Sequence, residues 1–337
     1  MKLIVQIPCL NEAETLPATL SEIPRAIEGF DEVEILIIDD GSTDGTAEIA
    51  KRHGVEHVQR SSRSRGLAAT FKAGLETALA LGADVIVNTD GDNQYAGSDI
   101  PRLVAPILRG EADMVIGDRR VREVEHFSFT KKKLQTLGSW VVRQVSGTKV
   151  PDTTSGFRAF SREAAQKMNL VSDYTYTLET IIQAGKKRLS VAQVPIEARE
   201  TRPSRLIRSN WDYVKRSAAT IVRIYAMYEP LKIFSYLALA FFLPGLFLSF
   251  RYLYFRSIGE GQGHVQSVLL AILFLLLAFG SLVFGLVADI LASVRRLLEE
   301  VLYRQRLLEE RLDRLRPPGY GESRRSSAEA ARADRTR

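Results

Sequence analysis

Two aspartates stand one residue apart in the stretch NTDGDNQYAG, residues 88–97. Asp90 and Asp92 directly follow the apolar run 85–87, so they lie at the mouth of a predicted buried strand. Carboxylates this close repel each other, and each raises the pKa of the other. A divalent cation between them, or full exposure to water, would relieve that repulsion. With the amide oxygen of Gln94 they form a ligand set that suits Mg²⁺ or Mn²⁺ beside substrate phosphates.

Two further polar clusters also follow predicted strands. Asn11 and Glu12 come after the first strand, and Asp39 and Asp40 come at the end of the second. In open α/β sheets, ligands bind at the carboxyl ends of the strands. Carboxylates at that edge can accept hydrogen bonds from ribose hydroxyls or from a base N–H. The three clusters together predict a site at one edge of one sheet.

The elements that position these residues alternate along the first part of the chain. Short runs rich in Val and Ile predict strands at Leu3–Pro8, Glu34–Asp39, Val85–Asn88 and Met114–Gly117. Amphipathic stretches predict helices at about Glu12–Glu28, Asp44–His53, Gly66–Leu81 and Asp99–Arg109. This alternation predicts an α/β fold with a mainly parallel, Rossmann-like sheet covered by helices on both faces. No glycine-rich phosphate loop follows the first strand, so a bound nucleotide needs another counter-charge.

Two uncharged runs near the C-terminal end predict a transmembrane hairpin, at 233–250 and 265–288. Each is long enough to cross the hydrocarbon core of a bilayer, which takes roughly 17–25 residues. Lys and Arg flank the pair on its outer sides, which predicts that both flanks face the cytoplasm. The single cysteine, Cys9, fits a reducing compartment. The N-terminal residues turn polar too early for a signal peptide.

The chain has 337 residues and a net charge of +6, and much of its excess of basic residues lies in 201–233, before the first run. Basic residues at such a place favour anionic lipid head groups. Nucleic-acid binding is the competing interpretation of a basic patch, and the adjacent span favours the membrane. Trp and Tyr mixed with basic residues at 210–229 predict an amphipathic helix lying on the membrane surface.

A seam of apolar residues at alternating spacings of three and four continues out of the second run, broken by Gln305. Its members are Leu291, Val294, Leu298, Val301, Leu308, Leu312 and Leu315. This is the pattern of a coiled coil, which predicts a homo-oligomer. The alternative is a charged helix that frays alone.

Three segments then carry a resemblance to a known family. Pro8–Glu12, Asp39–Thr46 and Asp90–Gln94 resemble the corresponding segments of family 2 glycosyltransferases, which have the GT-A fold. Ser155–Arg158 after Asp152, with the two-span hairpin, resembles the polyprenyl-phosphate branch, which includes dolichol-phosphate mannosyltransferases and undecaprenyl-phosphate glycosyltransferases. The resemblance extends to the end of the second span.

The resemblance implies roles for individual residues. The nucleotide-sugar would bind Pro8, Asn11, Glu12, Asp39, Asp40 and Asp90. The metal, Mg²⁺ or Mn²⁺, would bind Asp90, Asp92 and Gln94. The acceptor phosphate would bind Arg119, Arg199, Ser204 and Arg205. The catalytic set would be Asp92, Asp152 and Arg119, with Asp152 as a base or an orienting group; a simple turn is the alternative for Asp152. Relatives often have alanine at the place of Gly91, a difference expected to matter little.

These residue patterns, together with the resemblance, predict an organisation of the whole chain. We predict a catalytic domain at 1–205, an amphipathic juxtamembrane segment at 206–230, the hairpin at 231–291, a cytoplasmic helix at 292–316 and a disordered tail at 317–337. The protein would be a multi-pass component of the inner (plasma) membrane with its catalytic domain and both termini in the cytoplasm.

The predicted activity is the inverting transfer of one sugar from a nucleotide-sugar, UDP-glucose favoured, to a polyprenyl phosphate, undecaprenyl phosphate favoured. A lipid monophosphate has a second pKa near ~6 and needs little deprotonation. Three alternatives stay open: a GDP-mannose-dependent mannosyltransferase, a transferase that acts on another acceptor such as a glycolipid, and an inactive nucleotide-sugar-binding scaffold.

Overall fold

The computed structural model describes residues 1–119, 139–148, 150, 152–171, 175–199, 210–259 and 265–315. The chain divides into two compact units, Met1–Ala292 and Ser293–Arg337. The described strands are β1 (Lys2–Cys9), β2 (Glu32–Asp39), β3 (His57–Arg60), β4 (Val85–Asn88), β5 (Met114–Asp118), β6 (Arg158–Ser161) and β7 (Val191–Pro195). The described helices are α1 (Leu16–Glu22), α2 (Thr46–Arg52), α3 (Leu67–Ala80), α4 (Ile100–Leu108), α5 (139–146), α6 (Arg162–Lys167), α7 (Tyr176–Lys186), α8 (Asn210–Tyr228), α9 (Pro230–Ser257) and α10 (Val265–Leu315).

The described strands form one seven-stranded sheet in the order β3-β2-β1-β4-β6-β5-β7. Every neighbouring pair is parallel except those of β6, which runs antiparallel between β4 and β5. The predicted mainly parallel α/β fold is therefore confirmed. The predicted strands and helices lie within the same segments, although α1 is much shorter than its prediction. Strands β3, β6 and β7 were not predicted, because none carries a long Val- and Ile-rich run.

The alternating side chains of β1 divide the core between the two faces of the sheet. Leu3 and Val5 belong to one buried cluster, and Ile4 belongs to the other. Burial on both faces is the property that makes the central parallel strands read as continuous apolar runs. The register pairs Cys9 with Asp39, so the loops after β1 and β2 begin side by side at one edge.

Helices α9 and α10 are long and apolar enough to cross a membrane. In the most apolar stretch of α9, 6% of the residues are buried, and in that of α10, 22%, so neither resembles a core helix. The helices approach each other at two glycines. A Cβ built on Gly245 would lie 3.0 Å from Leu275 Cγ, and one on Gly285 would lie 2.8 Å from Phe234 Cβ. Small residues at such contacts are typical of paired transmembrane helices.

Helix α8 has two different sides. Ile221 and Ile224 are buried in the core of the α/β domain, while Lys215, Val222 and Arg223 are exposed. The helix predicted to lie on the membrane surface therefore also packs against the α/β domain, through α7. The seam predicted in 291–315 belongs to α10, and its described apolar side chains are exposed, for example Leu298 at 59%. The predicted tail at 317–337 lies outside the described residues.

Candidate active site

The loops that follow β1 and β2 are joined by hydrogen bonds. The backbone N–H of Asn11 donates to Ser42 Oγ at 2.9 Å, and that of Thr43 donates to Asn11 Oδ1 at 2.8 Å. The N–H of Glu12 donates to Thr46 Oγ1 at 3.0 Å. Asn11 has φ of 57°, a left-handed conformation that Asn tolerates better than most residues. Two of the predicted donor-site residues are thus fixed by backbone geometry, just beyond the buried Pro8.

Asp39 is fully buried at the end of β2. Its Oδ1 accepts a hydrogen bond from the N–H of Ser42 at 2.8 Å. Its Oδ2 lies 3.3 Å from Arg60 Nε but accepts no hydrogen bond within the described part of the chain. Buried polar atoms in native proteins nearly always have a partner, so this oxygen is a candidate acceptor for a ligand N–H or O–H.

Asp40, the neighbouring residue, is already used by the protein. Its carboxylate accepts from Ser64 Oγ at 2.6 Å, from Arg65 N–H at 2.8 Å and from Gly66 N–H at 2.9 Å. Gly41, with φ of 79°, allows this loop to approach closely, since a Cβ on it would lie 3.0 Å from the Arg63 carbonyl carbon. Because a carboxylate accepts about four hydrogen bonds, Asp40 acts first as the anchor of the loop that starts α3.

Asp90 and Asp92 lie in the loop that follows β4, as predicted, and both are half-buried. The pKa of Asp90 is raised to about 7. Burial is the largest cause and the charge of Asp92 is the next, while the charge of Arg119 acts in the opposite direction. Asp92 Oδ1 accepts the Gln94 N–H at 3.1 Å, and Asn93 turns the loop at φ of 57°. The two carboxylates therefore share a poorly solvated loop in which ionisation of both is unfavourable.

Gly91, between the two aspartates, lies under tight packing. A Cβ built on it would lie 3.0 Å from Cys9 Sγ and 3.3 Å from Glu12 Cγ, closer than ordinary van der Waals contact. Its carbonyl oxygen accepts a hydrogen bond from Thr15 Oγ1 at 2.8 Å. The expectation that alanine at this position matters little conflicts with this geometry, because its neighbours would have to move.

The acidic loop, which carries Asp90, Asp92 and Gln94, fits a divalent cation that arrives with a phosphate ligand. Within the described ranges, no group of three or more His, Cys, Asp or Glu side chains is arranged to hold a metal by itself. Mg²⁺ and Mn²⁺ sites often use one or two carboxylates, with substrate phosphates and water completing the shell. Burial is the first cause of the raised pKa of Asp90, and the charge of Asp92 is the second; a bound cation would offset that repulsion. Asp90, Asp92 and Gln94 therefore fit the predicted ion.

Arg119 and Asp152 form a buried two-pronged ion pair. Arg119 Nε donates to Asp152 Oδ2 at 2.7 Å, and Nη2 donates to Oδ1 at 3.0 Å and to Thr154 Oγ1 at 2.6 Å. Burial opposes ionisation of Asp152, but the charge and hydrogen bonds of Arg119 outweigh it and hold the pKa of Asp152 below its usual value. A carboxylate with a depressed pKa is a weak base, which favours the orienting role for Asp152.

Arg199 lies beside the acidic loop, where its side chain already has partners. Its Nη1 donates to Glu22 Oε1 at 2.7 Å and to Asn93 Oδ1 at 3.0 Å. Its backbone N–H donates to the carbonyl oxygen of Gln94 at 3.0 Å. Ser204 and Arg205, the other residues predicted to bind the acceptor phosphate, lie outside the described residues.

Comparison with known proteins agrees with this geometry. The model of the family described as "Glycosyl transferase family 2" matches residues 4–168. The polyprenol monophosphomannose synthase of Mycolicibacterium smegmatis is 31% identical over 57% of this chain and 76% of its own length. The chain belongs to glycosyl transferase family 2. The undecaprenyl-phosphate mannosyltransferase of Micrococcus luteus is 29% identical over 58% of this chain and 83% of its own, and the predicted polyprenyl-phosphate branch is confirmed.

A solved structure confirms the fold of this glycosyltransferase. Glucosyl-3-phosphoglycerate synthase from Mycobacterium tuberculosis, in complex with Mn²⁺, UDP and phosphoglyceric acid, superposes with a TM-score of 0.53. The match covers 67% of this chain and 77% of the other, at 21% identity. At this identity the comparison establishes a GT-A-like α/β domain.

Sequence reasoning missed the polar network beneath the acidic loop of the glycosyltransferase. Asn88 Nδ2 donates to the Gly156 carbonyl at 2.8 Å and to the Tyr176 hydroxyl at 2.9 Å. A Cβ on Gly156 would lie 2.7 Å from Asp90 Oδ2, so only glycine lets this segment pass so close. The sequence feature that could have indicated this network is Gly156, which belongs to the segment Ser155–Arg158 but had no role assigned to it.

Arg158, from the same motif, is a structural residue. Its guanidinium is fully buried and donates to the carbonyl oxygens of Thr153, Ser155 and Thr177, at 3.0, 2.8 and 2.8 Å. Burial lowers its pKa to about 10. It ties the segment that carries Asp152 to the first turn of α7.

Proposed function

We propose that this glycosyltransferase transfers one sugar from a nucleotide-sugar to a polyprenyl phosphate, with inversion at the anomeric carbon. The observation that carries the proposal is the contrast between two neighbouring groups. The first group is the acidic loop, where burial and the charge of Asp92 raise the pKa of Asp90 and so favour a bound cation. The second is Arg119, a buried cation whose charge acts on Asp90. Two anionic substrates, a diphosphate and a monophosphate, are what such a pair of charges would bring together.

The donor diphosphate is assigned to the acidic loop. Asp90, Asp92 and Gln94 would hold Mg²⁺ or Mn²⁺ against its oxygens. When bound, the ion would stabilise the charge that develops on the departing nucleoside diphosphate, an effect of several kcal/mol in comparable enzymes. The structural neighbour crystallised with Mn²⁺ and UDP supports a divalent ion here.

The acceptor phosphate is assigned to Arg119. Asp152 and Thr154 take the Nε and Nη2 protons, and Nη1 makes no hydrogen bond within the described part of the chain. The planar guanidinium, held on one edge by a carboxylate, presents its other edge in a fixed direction. Asp152 would orient Arg119 and not remove a proton, since a lipid phosphate is largely dianionic at neutral pH, with a second pKa near ~6.

The reaction then needs alignment more than proton transfer. An oxygen of the acceptor phosphate forms a bond to the anomeric carbon while the bond to the donor diphosphate breaks. The nucleoside diphosphate leaves with the electron pair, and an in-line displacement inverts the anomeric configuration. Positioning of two bound reactants alone can account for ~7–11 kcal/mol of a barrier.

The nucleotide base is assigned to Asp39, whose buried Oδ2 would accept a ring N–H. Asp40 would act indirectly, by anchoring residues 64–66, and Pro8, Asn11 and Glu12 would line the same edge. Both uracil and guanine carry such a ring N–H. UDP-glucose is the donor we propose. GDP-mannose is the second candidate, favoured by the relatives whose names specify mannose transfer.

The lipid acceptor is supported by the exposed apolar helices α9 and α10. We assign them to a hairpin in the inner (plasma) membrane, with the α/β domain and both termini on the cytoplasmic side. Undecaprenyl phosphate is the acceptor we propose, in line with the name of one relative.

The exposed seam of α10, from Leu291 to Leu312, would pair with a second copy of the chain. Removal of residues 298–337 should lower the number of chains per particle measured by light scattering, and an unchanged number would contradict the pairing.

The experiment that tests the function is transfer of radiolabelled sugar to undecaprenyl phosphate in vesicles. The donors are UDP-glucose, UDP-N-acetylglucosamine and GDP-mannose, each with Mn²⁺, with Mg²⁺ and with EDTA. We expect metal-dependent transfer from one donor, and none by an Asp92→Ala variant that still folds. Nucleotide binding without transfer from any donor would instead support a scaffold or another acceptor, such as a glycolipid.

A further inference from the structure

A single residue, Glu229, connects the membrane hairpin to the rest of the protein. Helix α8 ends at Tyr228 and α9 begins at Pro230. Glu229 has φ of −137° and ψ of 55°, outside the helical region, and the ring of Pro230 restricts its own φ. The direction in which α9 leaves α8 is therefore determined at one residue.

The side chain of Glu229 binds a group on each of the three helices that meet there. It forms an ion pair with Lys186 of α7, a second with Lys232 of α9 at 2.6 Å, and accepts a hydrogen bond from the Tyr225 hydroxyl of α8 at 3.3 Å. Lys186 also lies over the ring of Tyr225, with Nζ 5.4 Å from the centroid. Glu229 and Lys186 are 22% and 19% exposed, so solvent screens their pair only in part.

The charge of Glu229 is constant under physiological conditions. Burial opposes its ionisation, but hydrogen bonds from Lys186 and Lys232 outweigh burial and lower the pKa of Glu229 to about 2. The cluster is therefore a fixed electrostatic contact.

Helix α7 leads from this cluster to the candidate active site. At its other end, the Tyr176 hydroxyl accepts from Asn88 at 2.9 Å, and the Tyr176 ring stacks on Phe71 at 3.8 Å between centroids. The carbonyl oxygen of Thr177 accepts from Arg158, which holds the segment beside Asp90. Eleven residues of helix span about 16 Å. One end of α7 thus contacts the network under the acidic loop, and the other contacts the root of the hairpin.

We propose that Glu229 is a positioning residue that fixes the angle between the membrane hairpin and the catalytic domain. A lipid phosphate is confined to the plane of the head groups, so its distance to Arg119 depends on how the domain is held above that plane. Glu229 touches no substrate, and its effect is specific to an acceptor anchored in the bilayer. This inference rests on the proposed function for the lipid acceptor, its contact with Arg119 and the membrane hairpin.

The first test compares two acceptors with the full-length protein. Glu229→Gln preserves size but leaves Lys186 and Lys232 without a counter-charge. We expect kcat/KM for undecaprenyl phosphate in vesicles to fall by about tenfold to a hundredfold, since small misplacements cost that much. Transfer to a short, water-soluble prenyl phosphate, and KM for the donor, should stay within about twofold. Lys186→Met, which removes only the link to α7, should behave in the same way.

The matched control is Glu163→Gln, which removes the Glu163–Lys167 pair on α6 and touches neither Lys186 nor Lys232. It should affect neither acceptor. Equal losses for both acceptors with Glu229→Gln would mean a general structural defect, and no loss with either would mean that the junction does not position the site. Each of these two outcomes overturns the proposal.

A second measurement does not depend on activity. Cys9 is buried, so a cysteine introduced at the exposed Lys72 can carry a fluorescent donor for energy transfer to acceptor-labelled lipids in vesicles. Glu229→Gln should shift the transfer efficiency and broaden the distance distribution, while Glu163→Gln should leave both unchanged. An unchanged distribution overturns the positioning role, whereas absence of transfer activity in the wild-type protein alone would overturn the proposed function.

Discussion

Asp90 and Asp152 are carboxylates at the same edge of the sheet, and their environments shift their pKa values in opposite directions. The pKa of Asp90 rises to about 7, first through burial and then through the charge of Asp92. Burial opposes ionisation of Asp152 too, but Arg119 outweighs it and lowers the pKa of Asp152. Both groups lie in one region, but Arg119 forms a direct ion pair with Asp152 and acts on Asp90 only through its charge.

The contrast separates two tasks. A carboxylate with its counter-charge inside the chain is a fixed structural part, and here it aims a guanidinium. A carboxylate without one is complete only when a cation arrives, and in this protein the cation would come with the donor. Opposite pKa shifts in neighbouring groups are a known sign of divided roles in active sites.

The strongest test removes the acidic loop's charge. Asp92→Asn should lower kcat by about a thousandfold or more, because several kcal/mol of transition-state stabilisation depend on the ion that it holds. Sugar transfer under saturating Mn²⁺ measures the effect. Asp99→Asn, which breaks a surface pair with Arg102 a few residues further along, is the control and should retain activity. Wild-type turnover by Asp92→Asn would remove the acidic loop from the chemistry.

A second test compares stabilities. Asp152→Asn leaves Arg119 as an uncompensated buried charge and should lower the free energy of unfolding by about 3–5 kcal/mol. Asp90→Asn removes a repelled charge and should not destabilise the metal-free protein. Thermal unfolding of the two variants measures the difference. The double variant Arg119→Met/Asp152→Leu removes both buried charges, so it should regain the free energy of unfolding that Asp152→Asn loses. It should remain inactive in sugar transfer. Equal destabilisation by Asp90→Asn and Asp152→Asn would contradict the division.

The third test is the pH dependence of the metal-free protein. The folded-state pKa of Asp90 is raised from the ordinary 3.8 to about 7, so between these values the folded state holds a proton that the unfolded state has lost. Stability should therefore fall as pH rises from about 4 to about 7, by linkage. Chemical denaturation of the wild type and of Asp90→Asn at several pH values isolates this contribution. In the same window, Mn²⁺ should bind more tightly as pH rises, because the deprotonated carboxylate is the ligand.

The position of Asp90 at the end of a buried strand could be predicted from the sequence, whereas the pairing of Asp152 with Arg119 could not. Asp90 and Asp92 directly follow a buried apolar run, so a local pattern places them at the carboxyl end of a strand. Arg119 and Asp152 are 33 residues apart, and their pairing depends on tertiary contacts that no local periodicity encodes. The sequence therefore named Asp152 as a base or an orienting group without deciding between them.

Strand β6 is the main reason for the other misses. Its residues, Arg158–Ser161, have no alternating or continuous apolar pattern, and yet they pair on both sides with buried strands. This antiparallel insertion brings Gly156 against Asp90 and places Tyr176 under Asn88. Local propensity is a weak guide where burial on both faces comes from neighbours distant in sequence.

The smallest expected effect concerns the packing of the acidic loop and not its charge. Alanine at Gly91 would place a methyl group 3.0 Å from Cys9 Sγ, so Gly91→Ala should displace the loop by a few tenths of an ångström. We expect a loss of about twofold to tenfold in kcat and in Mn²⁺ affinity, with little change in thermal stability. Cys9→Ala alone should be nearly neutral, whereas Gly91→Ala combined with Cys9→Ala should recover most of the loss. The double-mutant cycle gives the coupling between the two residues. Additive effects would mean that Cys9 does not support the loop. The opposite pKa shifts of Asp90 and Asp152 would then depend on their charged surroundings and not on the packing at Cys9.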